Sequence, residues 1–308
     1  MIRIEDDILH LKQLGLLDGL LYDRTTKHNI IWATDAHASL GPAFARDKEI
    51  HVDLITGDYS GVIRTRAAKA FGQQSDRTRQ HGEVFTPLRI CKKMNDYADE
   101  TWFGCTDVFE KDGKPTGRVE FPRKRKWTQY VDSRRMEITC GEAPYLASRY
   151  DVATGEEIPL KKRIGILDRK MRVVNENTDS EEGWLKWAFR AVEATYGYEF
   201  QGDNLLIARI NILMTFEEYL QSRWNRMPTE AEYARLLKIV TWNIWQMDGL
   251  TGTIPYAKAQ EENHQYSIFE LFEGLNAPAA SSDQPNCRIF DWRSKESVEY
   301  KALSETKR

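Results

Sequence analysis

The chain has 308 residues, 41% of them hydrophobic and 11% aromatic, so it can bury a core without disulfides or metals and is not a disordered tract. No apolar run approaches the length of a membrane span, and the opening Met1-Ile2-Arg3-Ile4-Glu5-Asp6-Asp7 does not read as a signal peptide, which predicts a soluble, cytoplasmic protein. The formal charge is −3, from 44 basic and 47 acidic residues, so any binding of nucleic acid must come from local patches.

Cys91, Cys105, Cys140 and Cys287 are far apart and form no CxxC pair, and the six histidines show no HxxxH or HExxH spacing. Neither a disulfide framework nor a metal site is expected.

Along the chain, Ile4, Ile8, Leu9, Leu11, Leu14, Leu16, Leu17, Leu20 and Leu21 recur at roughly helical spacing from Glu5 to Tyr22, with Gly15 and Gly19 implying a break. Segments 29–34 and 50–55 read as strands, and a basic stretch holding Arg64, Arg66 and Lys69 follows. Residues 1–80 are taken as a mixed N-terminal module, and 81–308 as a second domain in which strands alternate with helices. Segments 135–139, 198–200 and 241–245 read as strands; 184–196, 204–220 and 229–240 read as helices. The last begins with Thr229 and Glu232 spaced as a capping box. Such alternation predicts an α/β fold with helices on the faces of a sheet.

In sheets of that kind, ligands sit beyond the carboxyl ends of the strands. Three strand ends there carry acids: Glu137, followed by Cys140 and Gly141; Glu199; and Asp248. A glycine lets a ligand approach the backbone closely. A carboxylate such as Glu199 can accept both hydroxyls of a ribose, and Asp248 could accept an adenine amine. Each acid alone is a weak signal, because acids near strand ends are common and most are solvated.

In this order, the residues resemble the N6-adenine DNA methyltransferases of restriction-modification systems, in particular their modification (M) subunits. Gly82-Glu83-Val84-Phe85-Thr86-Pro87 is similar to the family's Gly-x-x-Phe-Thr-Pro motif, and Glu137 to Ala143 is similar to its Asp-Pro-Ala-Cys-Gly-Thr-Gly motif. Ile138, Glu142 and Ala143 depart from that second motif. The resemblance covers roughly residues 75–300. It implies a Rossmann-like S-adenosylmethionine-dependent methyltransferase fold, with Phe85, Thr86, Pro87, Glu137, Cys140, Gly141, Glu199 and Asp248 forming the S-adenosylmethionine pocket. It also implies DNA as a partner.

The family's Asn-Pro-Pro-Tyr loop, which holds the target amine for attack on the sulfonium methyl, has no counterpart: the sequence contains no Pro-Pro pair. The nearest string, Thr253-Ile254-Pro255-Tyr256, comes too soon after Asp248, so no catalytic residue is assigned. Two readings follow. A second polypeptide supplies the catalytic loop and target recognition, or the protein is an inactive nucleoside- or DNA-binding regulatory subunit.

Basic residues cluster over Lys111–Lys126 and Lys161–Arg172, where phosphate contact and solvated loops are the competing readings. Arg77 and Arg79, adjacent to the first motif, are the candidate nucleic-acid contacts. The tryptophans are expected in the core. Cys140 is expected to pack, since no histidine neighbours it as a base. Asp291 with Glu299-Tyr300-Lys301 has the outline of a magnesium nuclease site, a pattern that arises easily by chance in so acidic a chain.

Overall fold

A computed structural model describes residues 2–69, 86–256 and 286–305. The chain opens with helix α1 (Ile4–Gln13), a left-handed turn at Gly15 (φ +71°) and the short helix α2 (Leu17–Leu21). The break therefore falls at the first of the two glycines, where the positive φ suits a residue without Cβ. Gly19 instead sits inside α2, packed against Leu237.

Segments 29–34 and 50–55 do not form regular strands. They make isolated antiparallel bridges, Tyr22 to Asn29 and Ile31 to Glu49, and Val52–Leu54 is a 3-10 turn. Ile30, Trp32, Phe44, Ile50, Ile55 and Ile63 are nevertheless buried, so this irregular region is fixed by side-chain burial more than by a hydrogen-bond ladder.

Helix α3 (Leu88–Phe103) ends at Gly104 in the left-handed conformation. The two-residue strands β1 (Glu110–Lys111) and β2 (Lys114–Pro115) form a hairpin, and the short helix α4 (Trp127–Val131) leads into strand β3 (Arg135–Glu137). Then come helices α5 (Ile166–Asn177) and α6 (Glu181–Glu193), strand β4 (Thr195–Glu199), helices α7 (Gly202–Trp224) and α8 (Glu230–Asn243), and strand β5 (Ile244–Gln246). An antiparallel hairpin, β6 (Arg288–Asp291) with β7 (Glu296–Glu299), and helix α9 (Tyr300–Glu305) complete the described chain.

Strands β3, β4 and β5 form one parallel sheet in that order, with Glu137 opposite Gly197 and Glu199 opposite Gln246. Alternation along β4 divides the layers. Tyr196 and Tyr198 point to one face, where they join Trp245, Met247, Cys287 and Ile289 beneath the β6–β7 hairpin. Helices cover the other face. Helix α7 is buried on nearly every side from Gly202 to Leu220, as expected of a helix at the centre of a core. The expected mixed α/β class with a parallel sheet is therefore present, and among the described residues no helix is long and apolar enough to cross a membrane.

The N-terminal residues share this core. Ile4, Leu11, Leu17, Leu21 and Trp32 belong to the same buried cluster as Leu205, Phe216, Leu236 and Ile244. Arg209 of α7, fully buried, donates to the carbonyls of Leu20 and Tyr22 at the end of α2 and to Ile244 in β5. These bonds satisfy helix-end carbonyls that burial would otherwise leave without partners.

Candidate functional site

Strand β3 delivers Glu137 to its carboxyl end, and the chain then turns through Thr139 (φ +48°), Gly141 (φ +54°) and Ala143 (φ +64°). Three left-handed residues in five make a tight loop. The Cys140 amide donates to the Tyr198 carbonyl and so pins the loop to β4 (2.8 Å). Glu142, where the resembled motif has threonine, accepts from the Arg66 amide and from the Tyr150 hydroxyl, while the Asn211 side-chain amide donates to the Glu142 carbonyl. The departure from the motif thus has a structural use: the Glu142 side chain ties the loop to the N-terminal region and to Tyr150.

Glu199 ends β4 on the same side of the sheet. Its Oε2 accepts the Gly141 amide at 2.8 Å and its Oε1 the Gln201 amide at 3.1 Å. Burial pushes its carboxyl up from the ordinary range, against the pull of these amides. Glu137 is also buried, and one of its oxygens, Oε2, has no hydrogen-bond partner. Burial holds its carboxyl well above the usual range; the amides of Tyr145 and Leu146 oppose this, and the nearby Glu199 charge adds to it.

Thr86 joins the cluster from the start of α3. The Tyr145 side chain bonds to both Thr86 and Cys91, and the Cys91 thiol donates to the Thr86 carbonyl (3.7 Å). Cys91 is pushed up to about 12 by burial and then by the Glu137 charge. Pro87 sits at the N-cap of α3, where its carbonyl accepts the Ile90 and Cys91 amides. Cys140 is buried, its thiol held well above its usual value by desolvation, which fits packing and not nucleophilic attack.

The structure therefore brings Thr86, Glu137, Cys140, Gly141 and Glu199 together at two adjacent strand ends, with Pro87 beside them. Asp248 is differently placed. It follows β5 as expected, but its Oδ1 caps a turn by accepting the Leu250 amide (2.8 Å), and its own amide donates to the Thr253 carbonyl. Phe85, Arg77 and Arg79 lie outside the described residues.

Sequence reasoning missed the polar groups that close the site from the N-terminal side. Gln246 of β5 accepts the Ile31 amide (2.9 Å) and donates to the carbonyls of Ile31 and Phe200 (2.8 Å each). Buried Asp203, at the start of α7, is met by His37 Nε2 at 3.3 Å and Lys69 Nζ at 3.6 Å. No spacing rule links residues so far apart in the chain.

Two hollows lie elsewhere: one of about 660 Å³ lined by Lys12, Asp18, His51 and Asp53, and one of about 100 Å³ lined by Lys92, Asp96, Asp99 and Arg169. The nuclease-like outline does not assemble. Asp291 pairs with Glu296 in the hairpin and Glu299 with Arg288, which sets their backbone positions three residues, about 10 Å, apart along the strands. Among the described residues no group of His, Cys, Asp or Glu is arranged to hold a metal ion.

Comparison of the chain with protein-family models, with curated proteins and with solved structures finds no match.

Proposed function

We propose that this protein is an S-adenosylmethionine-binding, adenine-specific DNA methyltransferase-like subunit of a restriction-modification or mobile-element system, built on a Rossmann-like methyltransferase fold, with a partner polypeptide completing catalysis. The observation that carries the reading is the placing of two buried acids, Glu137 and Glu199, at the carboxyl ends of adjacent parallel strands, with the loop that follows Glu137 giving its Gly141 amide to Glu199. Parallel sheets bind nucleosides at such strand ends, and the motifs around Thr86 and Gly141 resemble those of the methyltransferase family.

The residues fit such a ligand. Glu137 keeps a buried oxygen without a partner, the kind of acceptor that a ligand ammonium group satisfies. Each Glu199 oxygen accepts one amide and has a further lone pair for a ribose hydroxyl. When bound, the cofactor supplies an electrophilic methyl group on a sulfonium. The protein's own residues would hold its two ends apart, with Glu137 on the amino acid and Glu199 on the ribose, while the loop from Thr139 to Ala143 follows its backbone.

The sequence holds no Asn-Pro-Pro-Tyr loop to orient a target amine. Methyl transfer to DNA is therefore expected only when a second polypeptide is added.

Isothermal calorimetry with S-adenosylmethionine and with its demethylated product tests the pocket. Both should bind, and Glu199→Ala should weaken binding by about 1.5–3 kcal/mol, the worth of charge-assisted hydrogen bonds. Unchanged affinity in that variant, or no binding by the parent protein, would overturn the assignment. A labelled-methyl assay on DNA, with and without the product of the neighbouring gene, tests the need for a partner.

A further inference from the structure

We propose that the turn Arg123-Lys124-Arg125-Lys126 is a docking surface for the phosphate backbone of duplex DNA. The inference rests on the DNA-directed reading above and gives it a place on the molecule.

Charge pairing occupies several of the neighbouring cations but leaves this run of four adjacent ones without carboxylate partners among the described residues. Arg169 is held by Asp96 and Asp99, Arg172 by Glu176, and Arg190 by Asp132, all at 2.6–2.7 Å. Arg123, Lys124 and Lys126 are exposed, and among the described residues none of them has a carboxylate within ion-pair distance. Four consecutive cations raise the local potential, and unpaired ones are free to replace the counterions condensed on DNA.

The turn is also fixed in place, unlike a solvated basic loop. Its Arg125 amide donates to the Pro122 carbonyl, and its Lys126 amide donates to Gln129 Oε1 at the start of α4 (2.8 Å each). The Arg125 guanidinium lies over the Trp102 ring, 4.8 Å from its centroid, and Trp102 is packed on Phe103, Phe121 and Tyr130. One cation thereby anchors the turn to an aromatic cluster, and the other three face solvent with little backbone freedom to lose on binding.

The surroundings select the partner. Trp127 is occupied by Trp187, with ring centroids 4.9 Å apart, and Trp102 by Arg125, so neither ring is offered for stacking on single-stranded bases. The turn itself has no apolar side chain to enter a bilayer. A surface of cations without free aromatic rings suits sequence-independent contact with duplex phosphates.

Fluorescence anisotropy with a short labelled duplex, over a series of potassium chloride concentrations, tests this. The triple variant Arg123→Gln/Lys124→Gln/Lys126→Gln keeps the Arg125 anchor, and its folding is checked by circular dichroism. It should bind at least tenfold more weakly at low salt, with a salt slope shallower by about 2.7, corresponding to three lost phosphate contacts. Lys161→Gln/Lys162→Gln, on another exposed turn, should leave the slope unchanged. An unaltered slope in the triple variant overturns the proposal, as does tighter binding to single strands or to anionic vesicles that the same variant abolishes. Calorimetry with S-adenosylmethionine on the same proteins separates the two claims. Cofactor binding without duplex binding through the turn removes the surface and leaves the pocket; duplex binding through the turn without cofactor binding does the reverse.

Discussion

Glu137 is a residue whose burial works against the fold. Its carboxyl is held well above the usual range by desolvation, so the native protein keeps this proton at pH values where the unfolded chain, titrating near about 4.3, has lost it. The native state then binds more protons than the unfolded one, and stability falls as pH rises from the unfolded value through the raised native one. Glu137→Gln carries no such titration. It should match or exceed the parent in thermal midpoint at neutral pH, and the gap should close as the pH drops towards about 4. A variant less stable than the parent at neutral pH, with a deficit that shrinks as the pH drops towards about 4, would instead show that the carboxylate stabilises the fold. A ligand ammonium on the unpartnered oxygen should reverse the ranking, because only the parent offers it a charge. The sequence made Glu137 and Glu199 legible, since both end strands that precede a turn. It could not show that Asp248 turns its carboxylate onto its own backbone, because an acid two residues past a strand has the same appearance whether it caps a turn or faces a ligand.

Periodicity serves for α6, α7 and α8, gives no helix where α3 and α5 stand, and fails at the junctions between elements. Thr229 and Glu232 form the expected capping box, with the Glu232 amide on Thr229 Oγ1 and the Thr229 amide on Glu232 Oε2. Helix α8 then runs on to Asn243, into the segment 241–245 that reads as a strand, because helical packing on the sheet outweighs the local preference of Thr241 and Trp242. The N-terminal segments 29–34 and 50–55 fail as strands for the opposite reason: their apolar residues are needed in the core, yet only isolated bridges link their backbones. The closest junction lies at the start of α7. The Gly202 amide donates to the Trp32 carbonyl, and a Cβ at this glycine would stand 2.0 Å from the Ile31 carbonyl oxygen. Ile31 is itself fixed by Gln246, so neither backbone can retreat freely. Gly202→Ala should therefore cost about 3 kcal/mol or more in chemical denaturation, at the upper end for an overpacked site. A loss under about 1 kcal/mol would mean that the contact is looser than it stands. If the variant folds, it should also bind cofactor more weakly, because Glu199 and the Gln201 amide that it accepts directly precede this helix.

At the scale of the whole molecule, the sequence suggests a module over residues 1–80 and a domain from 81 onward, a boundary that falls within residues outside those described. The described residues on its two sides are joined by buried charge as well as by apolar contact. Arg149, only 4% exposed in its side chain, is paired with Asp7 of α1 at 2.7 Å and Glu218 of α7 at 2.8 Å, and it also donates to Asn211. Burial disfavours its charge, but Asp7 and Glu218 more than offset this and raise its pKa, so the guanidinium and its carboxylates stand or fall together. Removing the cation leaves Asp7 without its partner while Glu218 keeps Arg163, so the loss falls at the low end of the roughly 3–5 kcal/mol typical of breaking a buried ion pair. If residues 2–69 formed a separate unit, Arg149→Met would release them alone, and unfolding would split into two steps. A single core running from Ile4 and Leu11 to Phe216 and Leu236 requires the other outcome. The variant should show one calorimetric transition, shifted to lower temperature, and amides in α1 and α7 should lose hydrogen-exchange protection by the same amount. The strand-end site depends on the same unity: the Arg66 amide on Glu142 and Lys69 beside Asp203 reach it from the N-terminal side. A chain that unfolds as one body would therefore lose the proposed cofactor binding over the same, lowered temperature range when Arg149 is replaced, although that residue touches none of the proposed ligand contacts. Selective loss of protection in α1 with the pocket intact would instead make the N-terminal region a detachable module.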